Sequence, residues 1–242
     1  MMFTPTIPGN LPPLPELILW KDPIARIGAE CMAVDEVLLE WGKIPVLREY
    51  HWLEPTVTYG YFDSEETARM IFPDKELIFV RRWTGGGIVD HRADIPFTLA
   101  MHRTDVSARP TSAALYRWIH GALAKVLREC GVECEMLSGD APNGGRACFS
   151  SPVTSDLVHP NGDKLAGGGQ RRVRDGVLHQ GSIQNCVLPE GWCDLLANRL
   201  AEFVTVSSSC ELFEGMNDRV AELLAAKYQT NAWKIGPKHK AK

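Results

Sequence analysis

The amino-acid sequence predicts an α+β fold with a mainly antiparallel β-sheet. Its 242 residues are 45% hydrophobic, which is enough to bury one sizeable core. Runs with strand and helix periodicity are mixed without the βαβ regularity that favours a parallel sheet. In the middle of the chain, apolar runs are joined by short turns rich in glycine and asparagine, a pattern typical of hairpins.

The first half of the chain is predicted to place several strands around one helix. Residues 1–15 are proline-rich and predict an extended arm, because proline lacks the N–H group that helices and central strands need. Residues 27–41 carry apolar side chains at helical spacing, and Gly42 ends that helix. The predicted strands are residues 17–20, 46–52, 56–62, 76–80 and 95–101.

The glycine run between residues 81 and 92 is the most distinctive stretch of the sequence. It reads Arg-Arg-Trp-Thr-Gly-Gly-Gly-Ile-Val-Asp-His-Arg and lies between two predicted strands, which indicates a hairpin. Glycines lack Cβ atoms, so a ligand can lie against their N–H groups, and Arg81 and Arg82 add positive charge. The run matches neither G-x-G-x-x-G nor a Walker loop. By itself it is equally consistent with a solvated turn and with an anion site.

The second half of the chain is predicted to combine one long helix, successive hairpins and two closing helices. Residues 111–130 have a polar cap and one apolar face, and residues 132–137 follow as a strand. Turns at residues 159–163 and 174–176 then join antiparallel strands. Apolar side chains at helical spacing predict helices over residues 190–203 and 212–228. The predicted organisation is the arm, one domain over residues 16–233, and a basic tail over residues 234–242.

The composition limits the functional classes. Acidic residues outnumber basic ones by 30 to 26, and the formal net charge of −4 gives no reason to expect a nucleic-acid partner. No apolar run reaches the roughly 20 residues that span a bilayer, so we expect a cytoplasmic protein without a membrane partner. The seven cysteines contain no C-x-x-C pair, so we expect neither a disulfide framework nor a metal site.

Three motifs, taken together, resemble those of one family. The first is Arg82-x-Thr84-Gly85-Gly86-Gly87-x-Val89-x-His91. The second is Asp156-Leu157 followed by Asn161-Gly162-x-Lys164-x-Ala166-Gly167-x-x-Gln170. The third is Leu178-His179-Gln180-Gly181-Ser182-Ile183. In order and spacing, residues 27–183 are similar to the lipoate-protein ligase and octanoyltransferase family.

The resemblance implies a catalytic domain over residues 16–233, with helices flanking a central mixed sheet. It implies an enzyme that joins an octanoyl or lipoyl group, through an amide bond, to one lysine of a lipoyl carrier domain. That carrier would be a 2-oxoacid dehydrogenase E2 subunit or a glycine cleavage H-type protein. Lys164 would contact the acyl carbonyl and any phosphate, since an ammonium group and glycine N–H groups stabilise both. The implied acyl-donor or adenylate site comprises Arg82, Thr84, Gly85, Gly86, Gly87, His91, Gly167, Gly168, Gly169, Gln170 and His179.

The family contains two chemistries, and the sequence resembles both. ATP-dependent ligases form an acyl-adenylate with ATP and Mg²⁺, and the glycine run with His91 is similar to their signature. Cysteine-dependent transferases place a Cys-Phe pair upstream of the lysine, and Cys148-Phe149 stands sixteen residues before Lys164. A thiolate near basic side chains has a lowered pKa and could hold an acyl thioester, which makes Cys148 the candidate nucleophile. An inert buried cysteine is the competing interpretation.

The sequence also departs from the family pattern. Asp90 precedes His91 where an apolar residue is common, Arg92 follows it where ligases usually have aspartate, and Gly168 replaces the serine of a Gly-Ser-Ala run. The segment after Ile183 is shorter than the accessory domain of longer bacterial ligases, so a separate accessory subunit is an expected further partner. Two other interpretations remain open: a biotin ligase, disfavoured because a Gly-Arg-Gly-Arg loop is absent, and a non-catalytic lipoyl-binding or regulatory subunit.

Overall fold

Two β-sheets and their flanking helices make up the described part of the chain. The structure is a computed structural model and describes residues 11–102, 110–139, 152–174 and 176–236. The strands are β1 (Leu14–Lys21), β2 (Val46–Glu49), β3 (Thr56–Tyr59), β4 (Ile78–Arg81), β5 (Val89–Asp90), β6 (Ile95–His102), β7 (Glu135–Met136), β8 (Leu157–Val158), β9 (Lys164–Arg172), β10 (Gly176–Ile183) and β11 (Ala201–Ser207). The helices are α1 (Gly28–Trp41), α2 (Glu65–Ile71), α3 (Ser112–Glu129), α4 (Trp192–Leu200), α5 (Met216–Leu223) with a following π-helical turn (Leu224–Tyr228), and α6 (Asn231–Ile235).

The larger sheet has eight strands in the order β11-β1-β2-β6-β10-β9-β8-β7. Strand β1 pairs in parallel with β11 and β2, and the remaining neighbours in this sheet are antiparallel. The hairpins predicted around residues 159–163 and 174–176 are the β8–β9 and β9–β10 pairs. The predicted α+β class, with a mixed and mainly antiparallel sheet, is confirmed.

Helices cover both faces of the larger sheet. Because side chains alternate along a strand, Leu17 and Leu19 of β1 join the core under α3 and α4, whereas Trp20 joins the core under α1 and α5. The predicted helices over residues 27–41 and 111–130 are confirmed as α1 and α3. The apolar spacing identified these helices because their apolar side chains face a core.

The smaller sheet corrects the predicted glycine hairpin. Strands β4 and β5 do not pair with each other, because β3 lies between them, parallel to β4 and antiparallel to β5. All four residues of β3 are buried, and its backbone groups bond to both neighbours. Strand β6, the other predicted partner, belongs to the larger sheet. Residues 83–88, the glycine loop, therefore connect two strands that flank a third.

The predicted helix over residues 190–203 is wrong at its end. Helix α4 stops at Leu200, and Ala201 adopts an extended conformation that begins the edge strand β11. Phe203 and Val206 on that strand are 73% and 53% exposed. These apolar side chains therefore do not belong to the buried face of a helix. The short helices α2 and α6 were not predicted from the sequence. In the described ranges, no helix is long and apolar enough to cross a membrane.

Candidate active site

Arg82 shapes the glycine loop from inside. Its side chain is buried and donates from Nη1 to Thr58 Oγ1 at 2.6 Å. Its Nη2 donates to the carbonyl oxygens of Gly85 and Gly87, at 3.2 and 2.8 Å. The guanidinium therefore satisfies acceptors within the loop itself. These bonds fix the shape of the glycine loop.

The glycine loop lies closer to its neighbours than side chains would allow. A Cβ atom on Gly169 of β9 would lie 2.3 Å from the carbonyl oxygen of Gly85, and one on Gly60 would lie 2.0 Å from that of Gly86. The Gly85 N–H also donates to the Gln170 carbonyl oxygen at 3.4 Å. Glycine at these positions lets the loop rest directly on β9, which closes one side of the site.

A buried chain of hydrogen bonds ties the glycine loop to α1. Thr84 Oγ1 donates to Gln180 Oε1 at 2.7 Å, and Gln180 Nε2 donates to Asp35 Oδ2 at 2.7 Å. Arg48 donates to the other oxygen of Asp35 at 2.7 Å. Burial raises the pKa of Asp35 above its ordinary value, and the Arg48 guanidinium opposes that shift. The sequence offered one signal for Asp35, an acidic residue within the apolar pattern of α1.

His91 lies on the same side of the site in a second buried network. Its Nε2 is 2.6 Å from Thr58 Oγ1, and its Nδ1 is 2.5 Å from Asp94 Oδ2. Ser182 Oγ donates to the same Asp94 oxygen at 2.6 Å. Thr58 Oγ1 also accepts from Arg82, so this hydroxyl connects His91 to the guanidinium that holds the glycine loop. The ring is therefore held in one orientation.

A small cavity lies beside the glycine loop. Met32, Tyr50, Trp52 and Val89 give it apolar walls. Its polar boundary consists of Thr58, Arg82, Gly86, His91, Gly167, Gly168, Gly169, Gln180, Gly181 and Ser182. A narrow cavity with apolar walls and a few polar groups suits a small ligand with an apolar chain.

Lys164 lies behind the opposite wall of the cavity, here called the Lys164 wall, which Gly167 and Gly168 line. Its Nζ lies 2.7 Å from Asp156 Oδ2, and the two side chains are 1% and 0% exposed. A Cβ atom on Gly167 would lie 2.5 Å from this Nζ, so the ammonium group packs directly against a glycine that lines the cavity. Lys164 is therefore not a solvated surface side chain. The site holds a buried positive charge at the edge of an apolar cavity.

Tyr116 on α3 completes the Lys164 wall and was missed from the sequence. Its hydroxyl donates to Asp156 Oδ1 at 2.5 Å and accepts from the Gly168 N–H at 2.8 Å. Asp156 Oδ2 also accepts from the Val153 N–H at 2.8 Å. The phenol therefore joins the carboxylate that holds the lysine to the backbone that lines the cavity. Its place beside the apolar face of α3 favoured a packing role.

His179 lies beneath this wall. It is fully buried, and a Cβ atom on Gly168 would lie 2.7 Å from its ring. The His179 ring thus occupies the space that a serine side chain at position 168 would need, which accounts for glycine there. Burial lowers the pKa of His179 well below its usual value and that of neighbouring His120 to about 3. Both rings are neutral near pH 7, and His179 lines no described surface of the cavity.

The cavity continues past Gly86, Gly168 and Gly169 into an open groove, the catalytic groove. The N-terminal part of α3 forms one side of this groove, and residues 153–155 and Gln170 form the other. The structure therefore brings together the predicted glycine loop, Lys164 and the 167–170 segment. Cys148, the predicted nucleophile, lies outside the described residues.

The six cysteines that the structure describes are free thiols. Burial raises the pKa of Cys31 to about 12, and it raises that of Cys193 well above its ordinary value. These two thiols stay protonated and behave as core side chains. Neither of them lines the cavity or the catalytic groove.

The fold and the site define a protein with an apolar cavity beside a glycine loop and a buried ammonium group, that of Lys164, behind one cavity wall. Residues 28–205 match the lipoyl protein ligase A/B catalytic domain, and the chain belongs to that family. It is 34% identical over 166 residues to octanoyltransferase LipM of Anoxybacillus flavithermus, a match that covers 63% of this chain and 59% of the relative. The matched part thus spans somewhat more than half the length of that relative.

Solved structures with the same fold lie at lower sequence identity. Protein Ta0514 of T. acidophilum has a TM-score of 0.69 and 18% identity, with 92% of this chain and 99% of that chain covered. A second structure of Ta0514, with a TM-score of 0.66, holds bound lipoic acid. The bi-partite lipoate protein ligase of Thermoplasma acidophilum, studied with its E2 lipoyl domain, has a TM-score of 0.60 and 17% identity, covering 94% and 98%. These similarities confirm the predicted sheet with flanking helices, and the family match confirms the predicted resemblance.

Proposed function

We propose that this protein transfers an octanoyl or lipoyl group to the ε-amine of one lysine in a lipoyl carrier domain. The observation that carries the proposal is the position of the apolar cavity between the glycine loop and the buried Lys164, next to the catalytic groove with which it shares Gly86, Gly168 and Gly169. An acyl chain fits the cavity and a protein lysine can enter from the groove. The LipM relative and the lipoic acid bound to Ta0514 support the same ligand class.

The acyl carbonyl would lie where the Lys164 ammonium group meets the glycine loop. When an amine attacks this carbonyl, its oxygen gains negative charge in a place where water is largely excluded. A fixed ammonium group and backbone N–H groups stabilise such charge without having to reorganise. Arg82, Thr84 and His91 serve this step by holding the loop, since their hydrogen bonds run to loop atoms and to one another's partners.

For the chemistry, we favour transfer through a thioester on Cys148. The Cys148 thiolate attacks the acyl carbonyl of a donor thioester, and the donor leaves as a thiol after taking up a proton. The lysine amine then attacks the enzyme thioester, an amide forms, the amine proton is lost and Cys148 is released as a thiol. In the alternative ligase route, an acyl-adenylate made from ATP with Mg²⁺ delivers the acyl group, and Lys164 would contact its phosphate.

The proposed partners are the lipoyl carrier domains of 2-oxoacid dehydrogenase E2 subunits and of glycine cleavage H-type proteins. The structure of the Thermoplasma ligase with its E2 lipoyl domain supports the first of these by analogy of fold. A separate accessory subunit is a further proposed partner for the adenylate-forming route. Each partner is tested in a separate reaction.

Mass spectrometry of an apo lipoyl domain tests the activity. The protein is mixed with octanoyl-loaded acyl carrier protein, with lipoyl-AMP, or with lipoate, ATP and Mg²⁺, and the expected result is one added acyl group on the carrier lysine. No added mass with any donor, with or without a candidate accessory subunit, would contradict the proposal. Tight binding of lipoyl-AMP without transfer would instead indicate a non-catalytic lipoyl-binding subunit.

The variant Cys148→Ser separates the two chemistries. If the thioester route holds, this variant loses transfer from octanoyl acyl carrier protein and no longer accumulates an acylated enzyme. Unchanged turnover with lipoate and ATP would reject the thioester and favour the ligase. Cys210→Ser, at an exposed thiol, is the matched control.

A further inference from the structure

The outward face of α3 carries a stripe of basic residues. Arg117, Lys125 and Arg128, with Gly121 between the first two, follow one another at intervals of four, four and three residues, so they share one side of the helix. Arg128 is engaged, because its guanidinium donates to the Cys134 carbonyl oxygen at 2.8 Å. Across residues 11–102, 110–139, 152–174 and 176–236, Arg117 and Lys125 have no ion pair or hydrogen-bond partner. Both are exposed, so their charges are free to meet a partner.

This stripe borders a second groove, the α3 groove, which runs between α3, Leu11 and Pro13, and the end of α4. Arg117, Lys125 and Arg199 line it, and no acidic side chain of the described residues does. Arg199 is partly neutralised by Glu129 at 2.5 Å. The chain as a whole has a net charge of −4, so a groove with only basic charges differs from the surface around it.

The α3 groove and the catalytic groove meet at Arg117. Arg117 lines both, and the catalytic groove likewise has no acidic side chain among the described residues that line it. Lys125 lies two helical turns further on, about 12 Å along the helix axis. On the other side of the cavity, the surface next to His91 carries mixed charges from Glu54, Arg92 and Asp94. Of these surfaces, the one along α3 favours an acidic partner.

We infer that the α3 groove is the docking surface for the acidic face of the carrier domain that presents the acceptor lysine. The inference rests on the proposed function. When the acceptor lysine enters the catalytic groove, the rest of its domain stays outside. It then lies against the α3 surface between Arg117 and Lys125. Opposite charges at the rim of an interface speed association and set orientation, so this groove directs the carrier lysine toward Lys164. Trp118 and Ala122, both buried, form the floor of the groove.

Charge reversal at Lys125 tests the docking surface. Transfer from lipoyl-AMP, a small donor, is measured against the concentration of an isolated apo lipoyl domain. For Lys125→Glu we expect a KM for the domain about five- to tenfold higher, with kcat unchanged, and a weaker dependence of KM on salt. Transfer to a short lysine peptide, which cannot span the groove, should not change. Lys75→Glu, at an exposed lysine between α2 and β4, is the matched control.

Three results would overturn the inference. The first is an unchanged KM for the domain in Lys125→Glu, and the second is an equal loss with the short peptide. The third is a raised KM for octanoyl acyl carrier protein alone, which would assign the groove to the donor. If the wild-type protein transfers nothing from octanoyl acyl carrier protein, from lipoyl-AMP or from lipoate with ATP, the proposed function fails, and titration with the apo domain then decides the docking surface. Binding weakened by Lys125→Glu and not by Lys75→Glu supports the groove, and equal or absent binding rejects it.

Discussion

The glycine loop and the Lys164 wall face the same cavity but are held by different kinds of contact. The loop rests on β9 at distances that exclude Cβ atoms, and hydrogen bonds through Thr84 and Gln180 tie it to α1. The opposite wall is a buried ion pair, Lys164 with Asp156, which Tyr116 connects to the Gly168 backbone. The glycine loop therefore depends on residues that lack a Cβ atom, whereas the Lys164 wall depends on a charged side chain.

The difference predicts how each wall fails. An added methyl group should displace the glycine loop while the charges of the site stay in place. A lost ammonium group should leave the shape intact while the developing negative charge on the acyl oxygen goes unopposed. Burial makes the second loss larger, because an electrostatic contribution is greatest where water is excluded.

The largest expected effect is the removal of the Lys164 charge. Lys164→Gln alone would leave Asp156 buried without its cation, which costs roughly 3–5 kcal/mol of stability. We therefore combine it with Asp156→Asn, so that a neutral pair can keep a hydrogen bond. Transfer to the lipoyl domain should fall about a thousandfold in kcat. Steady-state transfer assays measure the loss of kcat, and the melting temperature checks that the double variant folds. A folded double variant with normal kcat would contradict the role of the charge.

Gly169→Ala should give the next largest effect. Its Cβ atom would lie 2.3 Å from the Gly85 carbonyl oxygen and 2.9 Å from Thr84 Oγ1, so the glycine loop must move away from β9. A displacement of this size should lower kcat/KM about a hundredfold through misalignment of the acyl group. Gly139→Ala is the control, because a Cβ atom there would meet no atom within 4 Å. Equal activity of the two variants would show that the loop position does not matter.

Tyr116→Phe should have a smaller effect, confined to the Lys164 wall. The variant leaves the Gly168 N–H and Asp156 Oδ1 without their bond to the phenol, a loss that should lower kcat about tenfold. KM for the acyl donor should stay nearly constant, because the cavity walls are unchanged. The control is Tyr228→Phe, whose hydroxyl bonds to Glu36 and lies on neither wall. A loss that appears in KM alone would place Tyr116 with the binding surface.

The smallest effect on turnover, but a measurable one on stability, concerns His120 beneath the Lys164 wall. Burial lowers its pKa from 6.5 to about 3, so between these values the unfolded chain binds the proton and the folded protein does not. The free energy of unfolding should therefore fall as the pH drops below 6.5, by about 1.4 kcal/mol per pH unit for this group. Urea unfolding near neutral and near mildly acidic pH should show a shallower slope in His120→Gln. If the pH dependence of the free energy of unfolding is the same in His120→Gln as in the wild type, the acid sensitivity comes from other groups.

The difference between the walls also explains what the sequence could predict. Three consecutive glycines made the glycine loop recognisable in the sequence. A close backbone approach requires residues without side chains, so it is visible in the residue type itself. Lys164 was recognisable through its motif. Tyr116 was not, because its partner Gly168 is 52 residues away and its position on α3 looks like packing. Thr84 and Gln180 are 96 residues apart, and their bond depends on how β10 lies beside the loop.

The errors in the fold have the same origin. A glycine turn between two apolar runs is typical of a hairpin, and the inserted strand β3 precedes the turn by more than twenty residues of sequence. Strand β11 carries apolar residues at a spacing that fits a helix, and its place at the edge of the sheet follows only from pairing with β1. A local sequence pattern does not show that a strand from a distant part of the chain will take the hydrogen bonds of a predicted neighbour.

By itself, the sequence determined the α+β class and helices α1 and α3, and it singled out the glycine loop and Lys164 as candidate site residues, because periodicity, missing side chains and motif spacing are local properties. The tertiary structure alone decided that Lys164 is buried against Asp156, that His179 fills the space beside Gly168, and that Arg117 joins two basic grooves. Each of these depends on the order of strands in the sheet, which brings side chains from distant parts of the chain within a few ångströms of one another.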